Sequence, residues 1–283
     1  MAGIHPFDDR PNMPLTLEWK GPIGRPVDGE GLRPETMAGA AREVARLPVP
    51  AGNATAELGE LFRVEGDGSD GHLIFEGDLR PVRGLASGMA WGRVEIRGEA
   101  GPRLASGMLG GSVEVEGSAG AWAGAEMRGG LLRIRGDAGE RLGAALPGSR
   151  VGMRDGVILV DGGAGPDAGL ALRRGTIAVG GRLGLGAGRG MVAGSIFGFG
   201  PVDRGAGAGM KRGTLALFGL DGPELLPSFE PSGTLRPDFL TIYLRELRVL
   251  GFPVPEAAFA APIRRYNGDR VVGGRGEVLV AGR

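Results

Sequence analysis

Cysteine is absent from the 283 residues, which by inventory alone excludes disulfides, iron–sulfur ligation, thiolate metal sites and cysteine nucleophiles. Histidine occurs twice, as His5 in a leader holding proline and aspartate and as His72 directly before Leu73-Ile74-Phe75. Neither has a ligand set beside it, so no histidine-based metal or catalytic role is expected. Lysine is confined to Lys20 and Lys211, leaving 31 of the 33 basic residues as arginine, a bias that says more about genome composition than about mechanism. Those 33 positive charges are matched by 33 negative ones, so the chain as a whole is not drawn to nucleic acid or to an anionic membrane. No apolar run is long enough to span a bilayer, and Met1 to Pro14 has no secretory core. A soluble, cytoplasmic protein is expected.

Glycine, by contrast, is abundant at 58 residues, without the three-residue spacing that collagen requires. It punctuates a repeat instead. Seven times between Gly77 and Gly219 a glycine is followed by five residues, apolar at the second and fourth, and then by another glycine. The apolar pairs are Val94/Ile96, Val113/Val115, Leu132/Ile134, Ile158/Val160, Ile177/Val179, Ile196/Gly198 and Leu215/Leu217. The closing glycines, Gly98, Gly117, Gly136, Gly162, Gly181, Gly200 and Gly219, are 19, 19, 26, 19, 19 and 19 residues apart. A period of this size marks a solenoid, because a unit with two inward apolar side chains cannot bury enough surface alone and must stack on its neighbours. A second column, Met89, Met108, Met127, Met153, Leu172, Met191 and Met210, recurs once per unit, as expected if one corner always points inward.

Three regions follow: a leader and cap over 1–59, the solenoid over 60–219, and a helix with a tail over 220–283. In the first, Leu15 to Trp19 reads as a strand. Pro34 then opens a helix with Met37, Ala40, Ala41, Val44 and Leu47 on one face, ended by Pro48. Two less regular strands, Phe62/Val64 and Leu73/Phe75, lead into the seven good repeats. Pro237 opens a second helix with Leu240, Tyr243, Leu244, Leu247 and Leu250 along one stripe. The tail beyond holds Val278 and Val280. Its Arg264, Arg265, Arg270, Arg275 and Arg283 face only Asp269 and Glu277, and read more readily as a solvated tail than as the seat of an acidic partner or ligand.

Outward positions of stacked repeats become neighbours. Arg97, Glu116, Arg135 and Asp161 alternate in sign along one such column. Farther on the columns turn apolar, with Ala178, Phe197 and Ala216 in one and Gly180, Phe199 and Phe218 in the other. Three outward phenylalanines mark covered surface, under either the chain's own second helix or a partner subunit. The seven-residue excess that contains Leu146-Pro147-Gly148-Ser149-Arg150 must bulge from one side, where insertions often make contacts. The candidate partner contacts are therefore Arg150, Phe197, Phe199 and Phe218. No catalytic or metal-binding residue is assigned, and no cofactor-binding residue can be named. The glycine runs at 184–188 and 205–209 lead back to a strand rather than into a helix, so they are not nucleotide loops. Asp8-Asp9 lies in the leader, and Glu114 and Glu116 share one strand face without a pocket that could separate their pKa values.

The glycine-punctuated coils, the methionine corner and the closing Arg264-Arg265-Tyr266-Asn267-Gly268-Asp269 with Gly273-Gly274-Arg275-Gly276-Glu277 resemble the C subunit of formylmethanofuran dehydrogenase. The bacterial counterpart belongs to the formyltransferase/hydrolase complex of methylotrophs. The coils are also similar to the C-terminal domain of the glutamate synthase large subunit. The likeness runs from about Leu61 to Val280. It implies an all-β chain, a right-handed parallel β-helix of glycine-rich 19-residue coils with small helical caps at both ends and no catalytic centre of its own. It further implies amidohydrolase-like, formyltransferase and pterin-enzyme-like partner subunits, with metals and a methanofuran-type carrier held by those partners and no cofactor in this chain. The bacterial complex would move a formyl group from tetrahydromethanopterin to that carrier and release formate. The arginine bias leans toward it rather than toward the archaeal redox enzyme. A free-standing β-helix enzyme acting on polysaccharide is the alternative of another class, and it would want sugar-stacking aromatics where only 5% of this chain is aromatic.

Overall fold

The computed structural model describes residues 13–21, 24–219 and 222–282. One open sheet of 13 strands dominates it. Read across, the strands are Phe62–Glu65, Leu15–Trp19, His72–Glu76, Arg93–Arg97, Ser112–Val115, Arg128–Ile134, Asp155–Val160, Thr176–Val179, Ser195–Gly198, Thr214–Leu217, Gly276–Ala281, Ile263–Gly268 and Glu230–Leu235. From Leu15–Trp19 to Gly276–Ala281 every neighbour is parallel. The register matches equivalent repeat positions, as in Val94↔Val113 and Ile158↔Ile177. At both ends the chain direction reverses, Phe62–Glu65 pairing antiparallel at one edge and Ile263–Gly268 and Glu230–Leu235 at the other.

Two further lines of contact join each repeat to the next. Parallel bridges link Leu79, Ala100, Ala119, Ala138, Ala164, Leu183 and Val202. At the methionine corner the amide of Arg128 donates to the Met108 carbonyl and that of Lys211 to the Met191 carbonyl, both at 2.7 Å. Between these lines lies the core. The inward strand residues from Val94 to Leu217 and the whole methionine column are fully buried, each large aliphatic contributing about 1.5–3 kcal/mol. The closing glycines are needed for close approach: Gly98 has φ +148°, and a Cβ there would collide with the Gly77 carbonyl oxygen. Gly198 stands where other strands put an aliphatic because Leu183 fills its place, its Cδ1 lying 2.5 Å from where a Cβ would be.

Several expectations are corrected. Pro34 opens only the three-residue turn Pro34–Thr36; the helix is interrupted and resumes for one turn at Ala41–Val44. Gly39, at φ +129°, breaks it, and Pro48 begins the strand Pro48–Ala51 rather than merely ending a helix. The inward-facing Met37 and Val44 are buried as the pattern required. This region builds a second, four-stranded sheet from Ala54–Glu57, Pro48–Ala51, Val27–Asp28 and Val82–Arg83. Leu15–Trp19 inserts beside His72–Glu76 and displaces Phe62–Glu65 to the antiparallel edge, so Phe62/Val64 is not a repeat of the parallel series. The parallel array thus begins before residue 60 and ends after 219, because Gly276–Ala281 returns to pair with Thr214–Leu217. That strand carries the buried Val278 and Val280, so the tail is folded rather than solvated. The second helix forms at Asp238–Val249 with Pro237 as its N-cap.

Candidate functional site

The apolar outward columns are covered by the chain itself. Leu159, Ala178, Phe197, Ala216 and Leu279 face Leu240, Leu244 and Leu247 of the helix Asp238–Val249 in one buried cluster. Phe197 is 1% exposed, with its ring 5.4 Å from that of Tyr243. It leaves nothing for a partner, which corrects its candidacy. Phe199 stacks on Phe218 at 5.1 Å and meets Phe252 at 5.3 Å, and both Phe199 and Phe218 remain half-buried.

A buried arginine closes this face. Arg133 is 5% exposed and its Nη2 donates to both Asp161 carboxylate oxygens at 2.7 and 2.8 Å. It also donates to the carbonyls of Leu250 and Gly251 at 3.3 and 3.1 Å. These carbonyls lie just past the helix C-terminus, where the dipole favours a cation. The register places Arg133 in the column Glu95, Glu114, Arg133, Leu159, Ala178, Phe197, so it is the last charged rung before the apolar ones. That change of character along the column is the signal that marks it. In the neighbouring column, Arg135 pairs with Asp161 at 3.4 Å but prefers Glu114 at 2.6 Å, and Arg97 pairs with Glu76 at 2.8 Å. Of the four alternating residues only Arg135 and Asp161 bridge one another, and Glu116 takes no ion pair among the described residues.

Two of the C-terminal arginines are also engaged. Arg265 pairs with Glu277 at 3.1 Å and Arg270 with Glu230. Beside them Asp269 is 4% exposed. Burial acts to raise its pKa, but hydrogen bonds from the Gly209 and Val271 amides and from Ser228 outweigh it and hold the carboxyl below the usual value of 3.8.

Arg150 is exposed on the insertion, next to a groove of about 640 Å³. The groove is lined by Val151, Arg154, Arg173, Arg174, Val192, Ala193 and Arg212. Apart from Val151, these are residues that follow the methionine column, brought level by the ladder: Arg154, Arg173 and Val192 donate their amides to the carbonyls of Met127, Met153 and Leu172. All four arginines are exposed, and none forms an ion pair among the described residues. The sequence already held these arginines one or two places after the corner residues Met153, Leu172 and Met210, but their outward aim and their lack of counter-charge show only in the fold.

The one histidine among the described residues is occupied structurally. His72 Nε2 lies 3.1 Å from Glu95 Oε1, and Arg93 reaches the same oxygen at 2.7 Å. Among the described residues no three histidine or carboxylate side chains are grouped to hold a metal, and His5, Asp8 and Asp9 lie outside the described residues. No helix among the described residues is long and apolar enough to cross a membrane.

No family model matches the sequence, and no curated protein matches it. The structure is similar to a chain of the formyltransferase/hydrolase complex (FhcABCD) from Methylorubrum extorquens, solved by X-ray crystallography in complex with methylofuran. The two chains are 30% identical and superpose with a TM-score of 0.84 over 95% of this chain and 100% of that one.

Proposed function

This chain belongs to the family of formyltransferase/hydrolase complex subunits, and from that premise we propose that it is the noncatalytic C subunit of such a complex. The observation that carries the proposal is the superposition over the entire length of the neighbouring chain. In this reading the array is a right-handed parallel β-helix, a rigid body against which catalytic neighbours are set. Repeats bonded along three lines, each holding only the next, suit that role. The partners are amidohydrolase-like, formyltransferase and pterin-enzyme-like subunits. They hold the metals and the methanofuran-type carrier, move the formyl group from tetrahydromethanopterin to the carrier, and release formate. Arg150 and the half-buried Phe199 and Phe218 are the contact residues this reading retains.

Native purification from the host followed by native mass spectrometry tests it. The expected result is co-recovery with three other subunits and an isolated chain without formyl-transfer or hydrolase activity. Recovery of the chain alone, or activity of the isolated chain, would overturn the proposal.

A further inference from the structure

We propose that the arginine groove at the methionine corner is the seat of an acidic segment of another subunit, one in which carboxylates flank an apolar side chain. The proposal rests on the reading of this chain as a subunit of a larger complex. In successive rungs the two positions after the inward corner residue are Arg128-Gly129, Arg154-Asp155, Arg173-Arg174, Val192-Ala193 and Lys211-Arg212. With Arg150 on the adjoining insertion, seven cations share one corner, and every one is exposed. The acid within this set, Asp155, turns one oxygen to its neighbouring Gly156 amide at 2.8 Å. Elsewhere among the described residues arginine is more often paired than not, as in Arg182–Asp203 and Arg189–Asp167, both at 2.6 Å. Here it is not.

The spacing describes the occupant. Rungs of a parallel sheet stand about 4.8 Å apart, so Arg173 and Lys211, two rungs apart, are separated by roughly 10 Å. Between them Val192 and Ala193 form an apolar floor, with Val151 at the side. An extended polypeptide puts same-face side chains roughly 7 Å apart, so a five-residue run with acids at its ends and an aliphatic between them spans roughly 14 Å, the three rungs from Arg154 to Arg212, with its aliphatic over the floor. A nucleic acid fits poorly: the groove lining holds no aromatic side chain on which a base could stack, and the chain has no net positive charge.

The shortage of lysine supplies the test. Both lysines are exposed, Lys20 donating to the Gly59 carbonyl, and of the two only Lys211 lies on the groove's own corner. In the complex purified with its other subunits, carbodiimide coupling should join Lys211 to an aspartate or glutamate of a partner polypeptide, identified by mass spectrometry. R154E/R173E/R212E should reduce retention of that partner at least tenfold, while the isolated variant keeps the wild-type melting temperature within a few degrees. R154K/R173K/R212K should restore retention, and raising salt from about 0.1 to 0.5 M should release the same partner from the wild type. If the chain co-purifies with its partners but Lys211 couples only within its own chain, or to a small carboxylated molecule, or the charge-reversed variant retains every subunit, the groove is not an interface and the scaffold reading stands. Failure to co-purify at all removes the scaffold reading itself and the groove's occupant with it.

Discussion

Replacing Arg133 by methionine keeps much of its aliphatic length and removes the guanidinium that ties the sheet to the end of the helix Asp238–Val249. Four hydrogen bonds disappear, two to Asp161 and one each to the Leu250 and Gly251 carbonyls. The guanidinium contact to the Phe252 ring, at 5.9 Å, goes with them. Breaking a buried ion pair by removing one partner costs about 3–5 kcal/mol when the remaining charge is left alone. Here Asp161 is 23% exposed and keeps Arg135 at 3.4 Å. The Arg133 Nε is itself buried without a hydrogen-bond partner, a penalty the variant removes. Both facts reduce the loss, to about 2–3 kcal/mol. Because a repeat array need not unfold as one unit, the loss should be local. Hydrogen exchange should show faster amide exchange in 238–250 with little change at the methionine column, and a double-mutant cycle with Asp161→Asn should give a coupling of about 1 kcal/mol or more. Stability and helix protection both indistinguishable from wild type would show that Arg133 does not fasten the helix.

Two other substitutions probe different terms. Phe199→Asp places a carboxylate against Phe218 and Phe252 and should cost about 2–4 kcal/mol, lowering the melting temperature or subunit recovery; no change in either would mean this face is open to water. Asp269 has its folded pKa below the ordinary value, so its contribution is present above the ordinary carboxylate range and is lost as pH falls through the lowered folded value. Asp269→Asn, with one acceptor oxygen in place of two, should lower stability at neutral pH by about 1–2 kcal/mol and flatten the acid limb of the stability curve below about pH 4; parallel melting curves for the two proteins across that range would refute the assignment.

Most of the array was legible because a period-2 apolar pair and one corner residue recur with so little variation. Val94/Ile96 through Leu215/Leu217 and the methionine column are buried as the pattern requires, apart from Gly198, whose place is taken by Leu183. The amphipathic stripe from Leu240 to Leu247 likewise forecast the helix, and the outward phenylalanines a covered face, for which the helix was one of two expected covers. What escaped was pairing between segments distant in sequence. Nothing local shows that Leu15–Trp19 slips in beside His72–Glu76, or that Gly276–Ala281 returns after some 60 residues to extend the array. The helix drawn from Pro34 failed at Gly39, whose positive φ outweighs the helical spacing of apolar residues, although Met37 and Val44 are buried all the same. Arg133 occupies an outward position of its strand, opposite Glu114. Its burial depends on where the helix ends, which no repeat pattern contains.

The reversal of chain direction at either extremity carries a consequence for solution behaviour. Like-oriented strands leave complementary unsatisfied edges at the two ends, and such edges invite further copies to add without limit. Glu230–Leu235, the outermost strand at one extremity, presents Pro231 and Gly233 and is almost wholly exposed, a poor template for another chain. Filament growth from that terminus is thereby discouraged, and the molecule keeps a defined length.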